Sequence, residues 1–189
     1  MFSEIHNFTF TDPRIPSEDK RFINTVIPDI SAEDSREKIA ATISGLAEES
    51  ETALLTLYVF RQMDNIGWLP FVKAAVERNP VCFSELNGRS VKEVYKILES
   101  LPDESIYDGQ RMALPDEVWN FRRGDGIEKA LLLADFIMQK DSGSTVNIEI
   151  AMQKIKLRYN DEDYLFTSSK MFSKSISISG SDYTIRDLS

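Results

Sequence analysis

Histidine and cysteine are nearly absent from this sequence, which contains one of each, His6 and Cys82. A lone cysteine cannot form an internal disulfide, and these two residues cannot supply the four ligands of a structural zinc site. The residues around Cys82 show no sign of an activated thiol. We therefore interpret Cys82 as a core residue and His6 as a surface residue, which disfavours a Cys-His pair.

The sequence also lacks a long hydrophobic run. Its longest apolar stretch, Ala53–Phe60, is much shorter than the roughly 20 residues that a membrane-spanning helix needs. The first residues lack the basic start and the apolar run of a signal peptide. We therefore expect a soluble, cytoplasmic protein with no membrane partner.

Positive charge is scarce. The net charge is −9, and most of the acidic excess falls within residues 1–140. A surface that binds nucleic acid needs clustered cations, so we expect no nucleic-acid partner. Lys154, Lys156 and Arg158 alternate along one predicted strand. A solvated sheet face explains them, and a surface for an anionic ligand or an acidic partner is the alternative.

The length of 189 residues is enough for one domain with a sizeable core. Pro13, Pro16 and Pro28 lie among scattered aromatic residues near the start of the chain. We interpret residues 1–30 as an N-terminal arm that lies on the body of the protein. Residues 31–189 are then predicted to form a single α+β domain.

Four segments before residue 102 have helical patterns of apolar residues. The first is predicted to begin at an N-cap, Ser31, and the second is apolar on most sides, which predicts a central position. The fourth has Ser90 as its N-cap and Glu93 to complete a capping box. The predicted segments are 31–46, Thr52–Asp64, Leu69–Arg78 and Val91–Leu101.

A fifth helix is predicted to begin after Asp125, which is a good N-cap with Glu128 three residues later. The residues from Ala130 to Ile137 leave almost no polar face. A helix of this kind needs neighbours on several sides, so we expect it to be the most buried helix of the protein.

After Gly143 the pattern changes to the alternation that is typical of strands. Val146–Ile150 and Ile155–Tyr159 alternate in this way, and Asn160–Asp163 is predicted to be a hairpin turn. A second hairpin is predicted around Gly180–Asp182. Helices come first and antiparallel strands follow, so the fold class is α+β, with N-terminal helices packed on a C-terminal antiparallel sheet.

Residues 90–170 resemble the transglutaminase-like branch of the papain-type fold. The resemblance depends on the Arg-Gly-Asp-Gly turn at 123–126, on the buried helix behind it, and on the two strands predicted after it. The resemblance implies that the catalytic cysteine would stand at Gly126, the histidine near Gln153 and the aspartate near Ser168. None of these three residue types is present there, so a Cys-His-Asp triad is absent.

The resemblance therefore implies a catalytically degenerate member of the family, with no cofactor and no metal. Asp125, Gly126, Gln153 and Ser168 would form the degenerate site. Our first hypothesis is that this old cleft holds a peptide or a small polar ligand, so that the domain is a binding or scaffolding module. Helix capping by Asp125 and a tight turn at Gly126 also explain two of these residues without any function.

Two other hypotheses remain open. The protein could be a hydrolase in which carboxylates of the same cleft act as acid and base, with Asp108, Asp116 and Glu117 as the candidates. It could also be a structural subunit whose acidic helical half docks on a partner protein. The acidic run Asp161–Asp163 is interpreted as turn chemistry rather than as a cation site.

Overall fold

The computed structural model describes Val26 and residues 28–188. Most of the predicted N-terminal arm, together with His6, lies outside the described residues. Within the described residues the chain forms seven helices followed by three strands. The helices are α1 (Arg36–Gly45), α2 (Glu51–Phe60), α3 (Trp68–Glu77), α4 (Pro80–Leu86), α5 (Val91–Ser100), α6 (Pro115–Phe121) and α7 (Gly126–Lys140). The strands are β1 (Thr145–Tyr159), β2 (Glu162–Ser179) and β3 (Asp182–Asp187).

Serine side chains start the first two helices. Ser35 caps α1 and Ser50 caps α2, each by accepting a backbone N–H of the first turn. The predicted cap Ser31 is therefore wrong by four residues, because Ser31 instead forms a turn with Asp34. The helix α2 ends at Phe60, earlier than predicted, because Arg61 adopts the left-handed conformation with φ 57°.

The short helices α4 and α6 were not predicted from the pattern. Each has seven residues and begins with a proline, Pro80 or Pro115, at its first position. Two turns are too few to show a helical period, whereas proline is favoured at this position because its missing N–H is not needed there. The predicted capping box of Ser90 and Glu93 at the start of α5 is confirmed.

The prediction that α7 is the most buried helix is confirmed. Every residue from Gly126 to Met138 is buried, and the capping box of Asp125 and Glu128 is present. This helix packs against α3, α4, α5 and α6 and against the strands β1 and β2. It therefore occupies the centre of the one hydrophobic core that the described residues form.

The strands form one antiparallel sheet in the order β1-β2-β3. Both predicted hairpins are confirmed, and their tight turns use positive φ angles at Asn160, Asp161 and Gly180. Val146, Ile148 and Ile150 alternate with exposed residues and point into the core. One face of the sheet therefore packs against helices while the other is exposed, which confirms the α+β class.

The helix α2 does not have the central position that its sequence predicted. Only Ala53 and Leu57 of its ten residues are buried. The helix α1, which packs on α2, has no buried residue. The two helices form a hairpin at the edge of the molecule, and this hairpin exposes apolar side chains.

Candidate functional site

The N-terminus of α7 meets the middle of β2, and Asp125 joins the two elements. One carboxylate oxygen accepts the N–H of Ile127 at 3.0 Å and the hydroxyl of Ser168 at 2.6 Å. The other oxygen accepts the backbone N–H of Ser169 at 2.8 Å and its hydroxyl at 3.1 Å. The carboxylate is fully buried and its hydrogen-bonding capacity is used within the protein.

No side chain fits at Gly126. A Cβ atom built there would lie 2.3 Å from the carbonyl oxygen of Thr167 and 2.6 Å from its carbonyl carbon. The backbone of β2 therefore occupies the space where the resemblance places a catalytic side chain. Glycine at this position allows helix and strand to touch, and the contact leaves no room for a ligand beside the Gly126 Cα atom.

Two further buried charges surround this contact. Glu128 accepts hydrogen bonds from the hydroxyl of Ser105 at 2.6 Å and from the N–H of Ala113 at 2.8 Å, and burial raises its pKa. The ammonium group of Lys170 donates to the carbonyl oxygen of Gly109 at 2.9 Å, and burial lowers its pKa. Both side chains hold the loop between α5 and α6 in place, so their partners are structural.

The structure thus brings together three of the four predicted site residues, and Gln153 is not buried with them. Asp125, Gly126 and Ser168 are buried in contact, whereas Gln153 is exposed. Gln153 lies at an irregularity of the β1–β2 pairing, where Met152 has a φ of 57°. The three buried residues form a structural joint between helix and strand.

The carboxylates considered for acid-base chemistry also have structural partners. Asp116 accepts the N–H groups of Val81 and Cys82 and so caps α4. Burial acts to raise the pKa of Glu117, but the hydrogen bonds from Arg61, Leu114 and Tyr107 outweigh it, and the net effect lowers that pKa. A lowered pKa does not suit a general acid. Asp108 is exposed on the loop before α6.

Cys82 is fully buried, as predicted. Its sulfur lies 3.3 Å from the carboxylate of Asp135, which is also fully buried. Burial raises the pKa of the Cys82 thiol, and the nearby Asp135 raises it further. The thiol is therefore neutral at physiological pH and is not a nucleophile.

A large concave surface lies elsewhere, beside α2. This α2–α3 groove has a volume of about 780 Å³, and residues of α2, α3 and the start of α6 surround it. Its lining is mostly apolar. The lining residues are Leu55, Tyr58, Val59, Arg61, Pro70, Phe71, Ala74, Arg78, Asn79, Leu114, Asp116 and Glu117.

Exposed apolar side chains form one rim of this groove. Leu55 is 56% exposed and Val59 is 80% exposed, one helical turn apart on α2. Sequence reasoning had placed this apolar helix in the core and so missed the groove. The sequence shows that this helix is apolar on most sides, but it does not show how many neighbours the fold supplies.

An ion pair forms part of the lining of the α2–α3 groove. Arg61 pairs with Glu117, and its Nη2 atom donates to the hydroxyl of Tyr107 at 2.7 Å. The same hydroxyl donates to Glu117 at 2.8 Å. The two lining residues of this group, Arg61 and Glu117, therefore have partners within the protein and need no ligand to hold them in place.

No protein-family model matches this sequence, and no curated protein or solved structure matches it either. The part of the chain that the structure describes contains no cluster of three or more histidine, cysteine or acidic residues placed to hold a metal ion. Among the described helices, none is long and apolar enough to cross a membrane. The α2–α3 groove thus combines a mostly apolar lining with an ion pair between Arg61 and Glu117.

Proposed function

We propose that this protein is a non-catalytic binding module and that it binds an apolar peptide segment of a partner protein in the α2–α3 groove. The exposure of Leu55 and Val59 beside the groove carries this proposal. Soluble proteins rarely leave a contiguous apolar surface of this kind without a partner. The same proposal includes two further points. The chain is a transglutaminase-like protein that lacks the catalytic triad, and it is located in the cytoplasm.

A peptide suits the shape and chemistry of the groove. The volume of about 780 Å³ falls within the range of roughly 300–1,000 Å³ that ligand pockets have, and the groove is open along its length. Pro70 and Leu114 line the groove together with the rim residues and offer further apolar contacts. The exposed cation Arg78 lies at the groove and has no carboxylate partner among the described residues, so an acidic side chain of the peptide can pair with it.

The site at the N-terminus of α7 is the weaker candidate for a ligand. Asp125 and Ser168 bond to each other, and the backbone of Thr167 fills the space at Gly126. A binding function at that site would require α7 to separate from β2. The α2–α3 groove needs no such movement.

The test is a selection of peptides from a random library against the whole chain, followed by titration into the wild type and two variants. Leu55→Glu places a charge on the groove rim. Leu165→Glu is the matched control, because Leu165 is 60% exposed but lies on the open face of the sheet. Both variants should keep the wild-type melting temperature, since both positions are exposed.

The selected peptides should be rich in apolar residues. Leu55→Glu should weaken their binding about tenfold or more, while Leu165→Glu leaves the affinity unchanged. Equal affinities for all three proteins would contradict the groove as the binding site. Concentration-dependent dimerisation that Leu55→Glu abolishes would instead show that a second copy of the chain covers this face.

A further inference from the structure

A stack of arginines and aromatic rings lies on the other side of α2. The Cζ atom of Arg111 is 4.0 Å from the ring centroid of Phe60 and 4.2 Å from that of Tyr107. Arg36 lies over the same Phe60 ring at 5.2 Å, and Arg61 over Tyr107 at 4.9 Å. We call these five residues the arginine stack. It places three guanidinium groups near one another in a protein whose net charge is −9.

Only one of the three cations has a carboxylate partner among the described residues. Arg61 pairs with Glu117, whereas Arg36 and Arg111 form no ion pair there. Burial lowers the pKa of Arg111, and the charges of Arg36 and Arg61 lower it further, while Tyr107 and the exposed Asp108 partly offset this. Two neighbouring cations that form no ion pair among the described residues favour the binding of an anion.

Arg111 is held in a fixed position. Its Nε atom donates to the carbonyl oxygen of Phe60 at 2.9 Å, and its backbone forms a bridge with Gln62. The two terminal nitrogens have no acceptor among the described residues. Because the side chain is already ordered between two rings, binding an oxyanion costs little further conformational entropy.

An apolar groove of about 240 Å³ adjoins the stack, between α1 and α2. Arg36 and Phe60 belong to both features. The other lining residues are Ile39, Ala40, Ile43, Thr56, Leu57 and Gln62. A ligand that occupied both would have an apolar part and an anionic group directly attached to it.

We propose that Arg36 and Arg111 bind the phosphoryl group of a phosphate monoester whose apolar part lies in this α1–α2 groove. A phosphate monoester carries a charge of about −1.5 to −2 at pH 7, which matches the two uncompensated cations. Guanidinium groups bind phosphate oxygens through paired N–H donors. Repulsion from the acidic remainder of the protein is screened beyond about 8 Å at physiological ionic strength.

The test is a titration of the whole, isotope-labelled chain with phenyl phosphate at pH 7.5 and constant ionic strength, followed by nuclear magnetic resonance. Phenyl phosphate should shift the Nε–H resonance of Arg111 in a saturable way. Inorganic phosphate, which lacks the apolar part, and benzoate, which has a single charge, should each bind about fivefold more weakly or worse.

Arg36→Gln should weaken the binding of phenyl phosphate about fivefold or more, because it removes one of the two cations from an exposed position. Arg122→Gln is the matched control. Arg122 also lies over an aromatic ring, that of Trp119 at 3.6 Å, but pairs with Glu85 far from the α1–α2 groove. Arg36→Lys keeps the charge without the paired donors and should also weaken binding.

A further titration distinguishes between a phosphorylated protein and a small molecule as the source of the phosphate monoester. A short peptide with a phosphotyrosine that binds more tightly than phenyl phosphate identifies a phosphorylated protein as the source, and equal binding identifies a small phosphate monoester. Shifts that never saturate, equal binding of benzoate, or full affinity in Arg36→Gln would each overturn the proposal.

Discussion

Charged side chains are buried along the whole length of α7, and each has a partner. Asp125 and Glu128 bond to the first turn of the helix and to neighbouring segments. Lys129 donates to Asp103 at 2.7 Å, and Asp135 accepts from Gln139 at 2.7 Å. Burial of a charge without such partners costs several kcal/mol, so these pairings explain how a helix with charged residues can lie at the centre of the core.

Gly126 is the residue on which the joint between α7 and β2 depends. Gly126→Ala should lower the free energy of unfolding by about 1–3 kcal/mol, because the new Cβ atom meets the backbone of Thr167. Gly45→Ala is the control, since a Cβ atom there has open space and should change stability by less than about 1 kcal/mol. Denaturant titration measures both. Wild-type stability of Gly126→Ala would show that the helix can move away from the strand.

Asp135 should make the stability of this protein depend on pH. Burial raises its pKa to about 7 with a smaller contribution from the nearby Asp116, although the hydrogen bonds from Gln139 and Cys82 act to lower it. The folded state therefore holds this proton more tightly than the unfolded state does, so stability is lost as the pH rises from about 4 towards about 7. The total loss in the free energy of unfolding, reached above about pH 7, is at most about 4 kcal/mol.

Asp135→Asn imitates the protonated acid and should remove this loss. Urea denaturation of the wild type and the variant at pH 5, 6, 7 and 8 provides the measurement. The variant should gain in stability relative to the wild type from pH 5 to about pH 7, and the difference should level off above that pH. A constant difference across this range would mean that Asp135 does not titrate there.

At the scale of the elements, two helices with the same kind of capping box differ in how many contacts the N-cap residue makes. Ser90 caps α5 at an exposed position, and its hydroxyl accepts only the N–H of Glu93. Asp125 caps α7 and also holds Ser168 and Ser169 of β2. A sequence shows both as good caps, and only the structure shows that one of them joins a helix to a sheet.

The two caps should therefore have different energies. Ser90→Ala should cost about 0.5–2 kcal/mol, which is typical of an exposed cap. Asp125→Ala should cost more than about 3 kcal/mol, because it leaves the buried hydroxyl of Ser168 and the buried N–H of Ile127 without an acceptor. Equal costs, measured by denaturant titration, would mean that water or a rearranged side chain replaces the Asp125 carboxylate.

The sequence was sufficient for elements with a strong local signal. The capping boxes before α5 and α7, the burial of α7 and the two hairpins follow from residues close together in the chain. The exposure of α2 could not be predicted, because apolar residues on most sides of a helix do not show which neighbours the fold supplies. The contact of Gly126 with Thr167 joins residues far apart in sequence, so no local pattern reports it.

For the whole molecule, the burial pattern predicts an uneven distribution of stability. The helix α7 touches α3, α5, α6 and the sheet, whereas α1 packs on α2 and has no buried residue. Segments with few buried contacts open with a small free energy, and core segments open only when the whole domain unfolds. The α1–α2 hairpin is therefore expected to open without unfolding the core, and it is the hairpin that borders both grooves.

Hydrogen exchange should show this difference directly. Amides from Ala130 to Ile137 should exchange only through global unfolding, and amides of α1 should exchange orders of magnitude faster. Leu132 is fully buried, so Leu132→Ala should lower the global free energy of unfolding by about 2–5 kcal/mol. The free energy of exchange for the α7 amides should fall by the same amount, while exchange in α1 stays unchanged. If protection in α1 fell together with that in α7, the hairpin would belong to the same cooperative unit as the core. Its apolar surface could then bind a partner only as a rigid face.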